Sequence, residues 1–414
     1  MSSSGNDGTS AGPVERRLAS ALAALYARVP LGMRLGLDPM RDACVRAGHP
    51  ERAFDVVHVG GTNGKGSTSA MVEAMARAGG ARTGLYTSPH LVRFAERIRI
   101  DGEPLSDEAL TSVLEEALRV GSDLSFFETA TLAALLAFRQ AKVDLAVLEV
   151  GIGGRLDATN IIASPRCTAL TGVALDHQDK LGDTLDAIAR EKAAIAKPGV
   201  PMVLGVLPDE ARAAAIEIAT AAGARVVDAL PLPPDTSVGL TGEHQRENAR
   251  VAWTIGAELG LSESARARGL SVARWPGRLE RIDVEEGDLA GTWLLDGAHN
   301  PDGARALTRA LANEDVGAVV FGALEDKAWR EMLAVVATID ATRFYAAPAG
   351  RAPADPEVLR ELAGGTPAAT LHDALRLARS AAGRRLVVVC GSLYLVGEAR
   401  AKLLRLRPDP IVAL

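Results

Sequence analysis

A strand, a glycine-rich loop and a helix follow one another between Asp55 and Arg77, and this succession narrows what the chain can fold into more than any other stretch. Asp55 to Val59 is rich in β-branched residues, Gly60-Gly-Thr-Asn-Gly-Lys-Gly-Ser67 comes next, and Thr68 to Arg77 is helix-forming. Glycines in such a loop let successive backbone N–H groups curl around phosphate oxygens at a helix N-terminus. Lys65 adds a point charge, and the hydroxyl of Ser67 can ligate Mg2+. Gly66 separates the lysine from Ser67, so the run is a phosphate loop without being a strict Walker sequence. The pattern continues along the chain. Further short β-branched runs, at Val143 to Val150, Cys167 to Leu175, Pro201 to Val206, Trp293 to Leu295, Val316 to Phe321 and Leu386 to Cys390, alternate with Ala/Leu/Glu/Arg segments of helical period. That alternation predicts an α/β chain of parallel-rich sheets joined by crossover helices, with ligands beyond the carboxyl ends of the strands.

At 414 residues the chain is long enough for two or three folding units. The change to a polar stretch after Arg274-Trp-Pro-Gly-Arg278 places a junction there. The reading is a flexible tail over 1–15, a unit carrying the phosphate loop (P-loop) over 16–275, and a smaller doubly wound α/β unit over 276–414. Aromatic residues make up 4% and the formal charge is −6, which disfavours a nucleic-acid surface, so a polyanionic ligand has to be captured locally. Cys44, Cys167 and Cys390 are far apart and lack metal or disulfide spacing, which fits a reducing compartment. The Ser/Gly/Asn-rich start lacks the apolar segment of a signal peptide, and no apolar run is long enough to span a membrane, so a cytoplasmic protein is expected.

Polar residues gather where the strands end. Glu149 closes an apolar strand and should emerge beside the phosphate loop, where Mg2+ bound to a nucleotide needs a protein carboxylate. Asp176-His177 stands at the expected end of another strand, and Lys192 follows on a helix. Asp296-Gly-Ala-His299-Asn300-Pro301 follows the strand at Trp293. Lysine is scarce, occurring at Lys65, Lys142, Lys180, Lys192, Lys197, Lys327 and Lys402, yet Lys65 and Lys192 fall in these clusters.

Taken in order, Gly61-Thr-Asn-Gly-Lys-Gly-Ser67, Thr87-Ser-Pro-His-Leu91, Leu148-Glu-Val-Gly-Ile-Gly-Gly-Arg-Leu-Asp-Ala-Thr-Asn160, Asp176-His-Gln178, Leu181-Gly-Asp-Thr-Leu185, Glu191-Lys192, His244-Gln245 with Asn248, Pro276-Gly-Arg278 and Leu295-Asp-Gly-Ala-His-Asn-Pro301 carry a resemblance. The chain resembles the folylpolyglutamate synthase/dihydrofolate synthase family of the Mur-ligase superfamily, from about Leu35 to Arg400. That resemblance implies that 16–275 is an ATP-binding ATPase unit, that 276–414 is a C-terminal Rossmann-like glutamate-ligase unit, and that the active site lies between them. ATP would phosphorylate a pterin-bearing carboxylate, and the amino group of L-glutamate would displace phosphate from the acyl phosphate.

Residue by residue, the resemblance assigns Asn63, Gly64, Lys65 and Gly66 to the ATP phosphates. Ser67, Ser88, Glu149 and His177 go to metal, with two Mg2+ expected, and Ser67 also belongs to the nucleotide loop. Asn248, Arg278 and Asp296 are assigned to the nucleotide. Lys65, Lys192 and His299 are assigned to catalysis, with Lys192 matching a lysine that is carbamylated in the family. Ser125, Phe126, Phe127 and Glu128, with Leu156, Asp157 and Ala158, are assigned to dihydropteroate or a reduced folate. A monomer without membrane or nucleic-acid partners is implied. Ala328 departs from the aspartate usual after Asp326-Lys327. Two other readings stand beside this one: another Mur-type ligase acting on a peptidoglycan-type precursor, disfavoured by Thr87-Ser-Pro-His-Leu91 and Leu181-Gly-Asp-Thr-Leu185, and a nucleotide-binding switch without catalysis.

Overall fold

The structure, a computed structural model, describes residues 12–29, 36–350 and 352–409. Fourteen strands form two sheets among these residues. The first contains β1 (Asp55–Gly60), β2 (Thr83–Tyr86), β3 (Ile98–Ile100), β4 (Glu103–Pro104), β5 (Leu145–Glu149), β6 (Cys167–Leu170), β7 (Pro201–Leu204) and β8 (Arg225–Asp228), in the order β4-β3-β2-β5-β1-β6-β7-β8. All pair in parallel from β2 to β8, while β3 and β4 add an antiparallel edge. The second contains β9 (Glu280–Val284), β10 (Gly291–Asp296), β11 (Val316–Phe321), β12 (Thr342–Tyr345), β13 (Thr366–Pro367) and β14 (Leu386–Cys390), in the order β13-β12-β11-β14-β10-β9. Only β9 runs antiparallel to its neighbour there.

Both faces of each sheet are covered, which is why the strands read as continuous apolar runs. Along β5, Ala146 and Leu148 join a core with Leu22, Leu25, Phe94 and Phe138, whereas Leu145 and Val147 join another with Met71, Met75, Trp253 and Leu270. The period of two thus sorts one strand into two cores. The second sheet repeats this: Leu294 and Val388 face one side, Trp293, Val387 and Val389 the other.

The helix Pro13–Tyr26 begins inside the stretch read as a tail, with Pro13 in the first turn where its missing N–H costs nothing; residues 1–11 lie outside the described residues. The strand expected over Cys167 to Leu175 stops at Leu170, because the chain leaves the ladder to wrap the phosphate loop, so Asp176-His177 sits on a loop and not at a strand end. The Arg274–Leu279 segment does fall between the helix Glu263–Val272 and β9. The chain's last described residues return to the first sheet's side, where Asp409 accepts from the Phe94 amide and, at 3.2 Å, from Arg93 Nε.

The helix Lys65–Ala78, which starts at the phosphate loop, is buried from Ser67 to Ala76 beneath the helices Glu243–Glu258 and Glu263–Val272. Gly269 makes that layer possible, since a Cβ there would lie 2.3 Å from Met75 Cα. Helix propensity alone favours Gly269→Ala by up to about 1 kcal/mol. The backbone contact reverses the sign: Gly269→Ala should destabilise by about 1–3 kcal/mol, read as a lower denaturation midpoint, and a midpoint at or above that of the parent would refute this packing.

Candidate active site

The phosphate loop is set by close backbone approaches. Gly61 and Gly64 have φ of +142° and +86°, and a Cβ on them would lie 2.2 Å from Thr171 Oγ1 and 2.1 Å from Asn248 Oδ1. The Thr171 hydroxyl donates to the Asn63 carbonyl at 2.6 Å, and the Thr62 amide donates to the Gly172 carbonyl at 2.7 Å, so the segment after β6 holds the loop from outside. Thr171 was not singled out from sequence; its signal was a hydroxyl residue at the end of a strand next to β1. Lys65 Nζ donates to the Thr62 carbonyl at 3.1 Å, folding the ammonium back over the loop.

Glu149 ends β5 beside β1 and is 5% exposed. Its Oε2 accepts from the Ser88 amide at 3.1 Å. Burial pushes this carboxyl up, and Lys65, the Ser88 amide, Arg278 and Arg97 pull against that shift. The turn after it is held by Asp157, whose carboxylate accepts from the amides of Gly151, Ile152 and Thr159 at 3.0, 3.1 and 3.0 Å and from the Thr159 hydroxyl. Thr159 Oγ1 also meets His58 Nε2 at 2.7 Å. Burial drives that histidine to about 3, so it stays neutral.

Lys192 is 4% exposed, and its Nζ donates to the Gly61 carbonyl at 3.1 Å. Burial, reinforced by the like charge of Lys65, lowers it to about 7. Nearby, Asp176 meets Lys327 Nζ at 2.9 Å and lies 3.9 Å from both His177 Nε2 and His299 Nε2. Burial works to raise Asp176, but Lys327 and the two histidines outweigh it and hold the carboxyl down at about 2. Burial lowers both His177 and His299 to about 4. His299 Nδ1 sits 2.9 Å from the Gly297 carbonyl and must donate to it, which leaves the Nε2 lone pair free in the neutral ring.

From the second sheet, Asp296 ends β10 and accepts from the Leu279 and Ala298 amides at 2.9 Å each. It therefore fixes both the Arg278 loop and the His299 loop. Burial raises Asp296, opposed first by Arg278. A cleft of about 710 Å3 lies between the sheets, and Asn63, Gly64, Lys65, Gly66, Ser67, Ser88, Glu149, His177, Lys192, Asn248, Arg278, Asp296 and His299 all line it.

Seven other expected residues do not line that cleft. Ser125 and Glu128 form a capping box, the carboxylate accepting from the Ser125 amide and hydroxyl at 2.8 and 2.6 Å; the spacing Ser-x-x-Glu was itself the signal. Phe126 stacks near Tyr26 and Phe94, with Arg97 5.4 Å above its ring, and Phe127 packs by Tyr86 and over Gly151. Asp157 is consumed by its own turn, flanked by Leu156 and Ala158, and shapes the cleft wall through Gly151 and Ile152. Ala328 stands at the N-cap of the helix Trp329–Val336 and supplies no side-chain cap.

The donor set agrees with a metal held largely by phosphate. Among the described residues no three His, Cys, Asp or Glu side chains converge as a closed metal site. Glu149 has one carboxylate oxygen engaged by Ser88 and faces the loop bearing Ser67, which fits Mg2+ shared between a carboxylate, a hydroxyl and a nucleotide.

Known proteins resemble this chain over most of its length. The family "Mur ligase middle domain" matches residues 59–229 and "Mur ligase, glutamate ligase domain" matches 277–393. A dihydrofolate synthase/folylpolyglutamate synthase of Bacillus subtilis is 33% identical, over 92% of this chain and 97% of its own. A probable bifunctional folylpolyglutamate synthase/dihydropteroate synthase of Haloferax volcanii is 36% identical over 88% of this chain; the match spans 48% of that longer protein. A solved bifunctional folylpolyglutamate synthase/dihydrofolate synthase of Yersinia pestis, complexed with AMPPNP and Mn ion, superposes with a TM-score of 0.85 at 31% identity, covering 95% of this chain and 100% of that one.

The buried Lys192 has a pH signature. With its folded value near 7 and the unfolded value near 10.5, the folded state binds fewer protons between them. Stability contributed against this lysine is thus lowest below pH 7 and recovers as pH rises toward 10. Lys192→Met should therefore stabilise by roughly 2–5 kcal/mol at pH 6 and by little near pH 10, measured as denaturant midpoints across that range. A gain independent of pH would contradict a buried, destabilised ammonium.

Proposed function

The chain belongs to the folylpolyglutamate synthase/dihydrofolate synthase family, and we propose that it joins L-glutamate to dihydropteroate, to the glutamyl tail of a reduced folate, or to both, driven by ATP. The observation that carries this reading is the single cleft in which Lys65 and Glu149 of one sheet face Arg278, Asp296 and His299 of the other. A carboxylate is a poor electrophile until one of its oxygens becomes part of a phosphate leaving group. The loop amides and Lys65 hold the triphosphate so that its γ-phosphoryl group meets the acceptor carboxylate, giving an acyl phosphate and ADP. The α-amino group of glutamate then attacks the acyl carbon, the amide forms, and phosphate departs.

Each residue's part follows from its surroundings. Glu149 and Ser67 would hold a first Mg2+, with Ser88 at its side, and His177 a second; the ions supply charge neutralisation at the transferring phosphoryl group. Asn248, Arg278 and Asp296 bind and orient the nucleotide. Neutral His299 offers its Nε2 lone pair to the proton released as the amine attacks. Lys192, with its lowered value near 7, has the neutral amine that carbamate formation requires, and a carbamate would replace its repulsion with Lys65 by attraction. Dihydropteroate or folate enters along the wall of Gly151 and Ile152, backed by Asp157 and Phe127. The reading extends to a cytoplasmic monomer, as the resemblance implies.

The test is direct. Protein given ATP, Mg2+ and L-glutamate with either dihydropteroate or tetrahydrofolate should release ADP only when acceptor and glutamate are both present, and mass spectrometry should find the acceptor one glutamate heavier. ADP release indifferent to both would reject the reading. Lys65→Ala should lower kcat by roughly 10²–10³-fold with an unchanged circular dichroism spectrum. Glu149→Gln should move the Mg2+ requirement to higher concentration. For the carbamate, stripping CO2 should lower activity most at the acid end of the pH range, and acetate or formate should partly rescue Lys192→Ala. Full activity of that variant without added carboxylate excludes the carbamate.

A further inference from the structure

The tip of the loop from the second sheet reaches the phosphate loop itself. Asn300 Nδ2 donates to Asn63 Oδ1 at 2.9 Å, and Asn63 Nδ2 lies 3.4 Å from Asn300 Oδ1. The orientation of the Asn300 amide is fixed independently. Its Oδ1 accepts from the Gly303 amide at 2.9 Å and caps the helix Pro301–Ala310, so its NH2 has to point across the cleft. Both partners are anchored in their own sheets. Asn63 is tied by its carbonyl to Thr171, and the stem of the Asn300 loop is held by Asp296 on the Ala298 amide and by the Gly297 amide on the Gly277 carbonyl. Asn300 is 3% exposed, so its amide has no ready exchange of partners with water.

We propose that Asn300 is a positioning residue that couples the second α/β unit to the phosphate loop, its carboxamide setting that of Asn63 for the triphosphate only when the two units close. This rests on the nucleotide-dependent reading above. A helix cap alone needs only a side-chain oxygen, which serine or aspartate supplies equally well. Neither can donate to Asn63 Oδ1 from this position as an amide does: serine is too short, and an aspartate carboxylate has no hydrogen. Cap and coupling are therefore separable by substitution. The pair also supplies a chemical reason for asparagine at both positions, since a carboxamide alone both donates to and accepts from its twin.

The experiment is a double-substitution cycle on the full chain, using Asn63→Ala, Asn300→Ser and the two together. Asn300→Asp is read in parallel as a second variant that keeps the cap. Thermal midpoint, AMPPNP affinity, nucleotide-induced compaction by small-angle scattering, and kcat are measured for each. Asn300→Ser should melt close to the parent, bind AMPPNP about tenfold more weakly and compact less, as expected for losing one to two ordinary hydrogen bonds. Asn300→Asp should fall at least as far. The double variant should lose no more than the worse single one, because the two side chains act through each other. Parent-like affinity and compaction in Asn300→Ser, or losses that multiply in the double variant, would overturn the proposal. If the parent ligates no glutamate yet its AMPPNP binding and compaction depend on Asn300, the substrate reading fails while the coupling stands.

Discussion

Unbalanced positive charge at the head of the first sheet governs this molecule. Lys65 and Lys192 both fold back onto carbonyls of the phosphate loop, at Thr62 and Gly61. Burial, reinforced by the like charge of Lys65, brings Lys192 down to about 7. Asp176 and Asp157 offset part of the charge on Lys192, while Glu149, the carboxylate that feels Lys65, is pushed by burial toward its neutral form. Such an arrangement is costly in an empty cleft and becomes favourable around a polyanion, which is the relation expected of a site built for a nucleotide triphosphate and its metal.

Everything else in the fold serves to hold that charge in place. The helix Lys65–Ala78 is locked under a second helix by the backbone contact at Gly269, and the loop ahead of it is clamped by Thr171 and Gly172. On the other side Asp296 spends its carboxylate on two backbone amides, converting a strand end into a rigid platform for Arg278, His299 and Asn300. Asp176 joins the two halves through Lys327, with a histidine from each half at equal distance. The cleft is thus closed by polar contacts that a ligand can compete with, while its walls are closed by packing that it cannot.

The part of this that the sequence made legible is the part written locally. A strand followed by Gly61-Thr-Asn-Gly-Lys-Gly-Ser67 carries its own geometry, and Glu149 at the end of an apolar run can emerge only at one edge. Strands β11 and β14 were readable to the residue because both faces are buried. Strands β2, β3, β8 and β12, of three or four residues, and the half-polar β9 lie outside any β-branched run and passed unnoticed, whereas β6 and β7, equally short, are embedded in longer apolar runs. Ser125 and Glu128, assigned to the substrate by the resemblance, form a capping box, a local motif their spacing also spells out. Asp157 holds its own loop through three backbone amides. Asn300 and Lys327 meet partners 237 and 151 residues away, and no local pattern announces such pairs.

An oxygen label follows the central chemical claim most closely. When the acceptor's carboxylate carries 18O, formation of an acyl phosphate moves one labelled oxygen into the departing phosphate. Mass analysis of the phosphate released during a single round of ligation should find one 18O per phosphate, with the other retained in the new amide. Unlabelled phosphate accompanying product would contradict an acyl phosphate and, with it, the role given to the cleft between the two sheets.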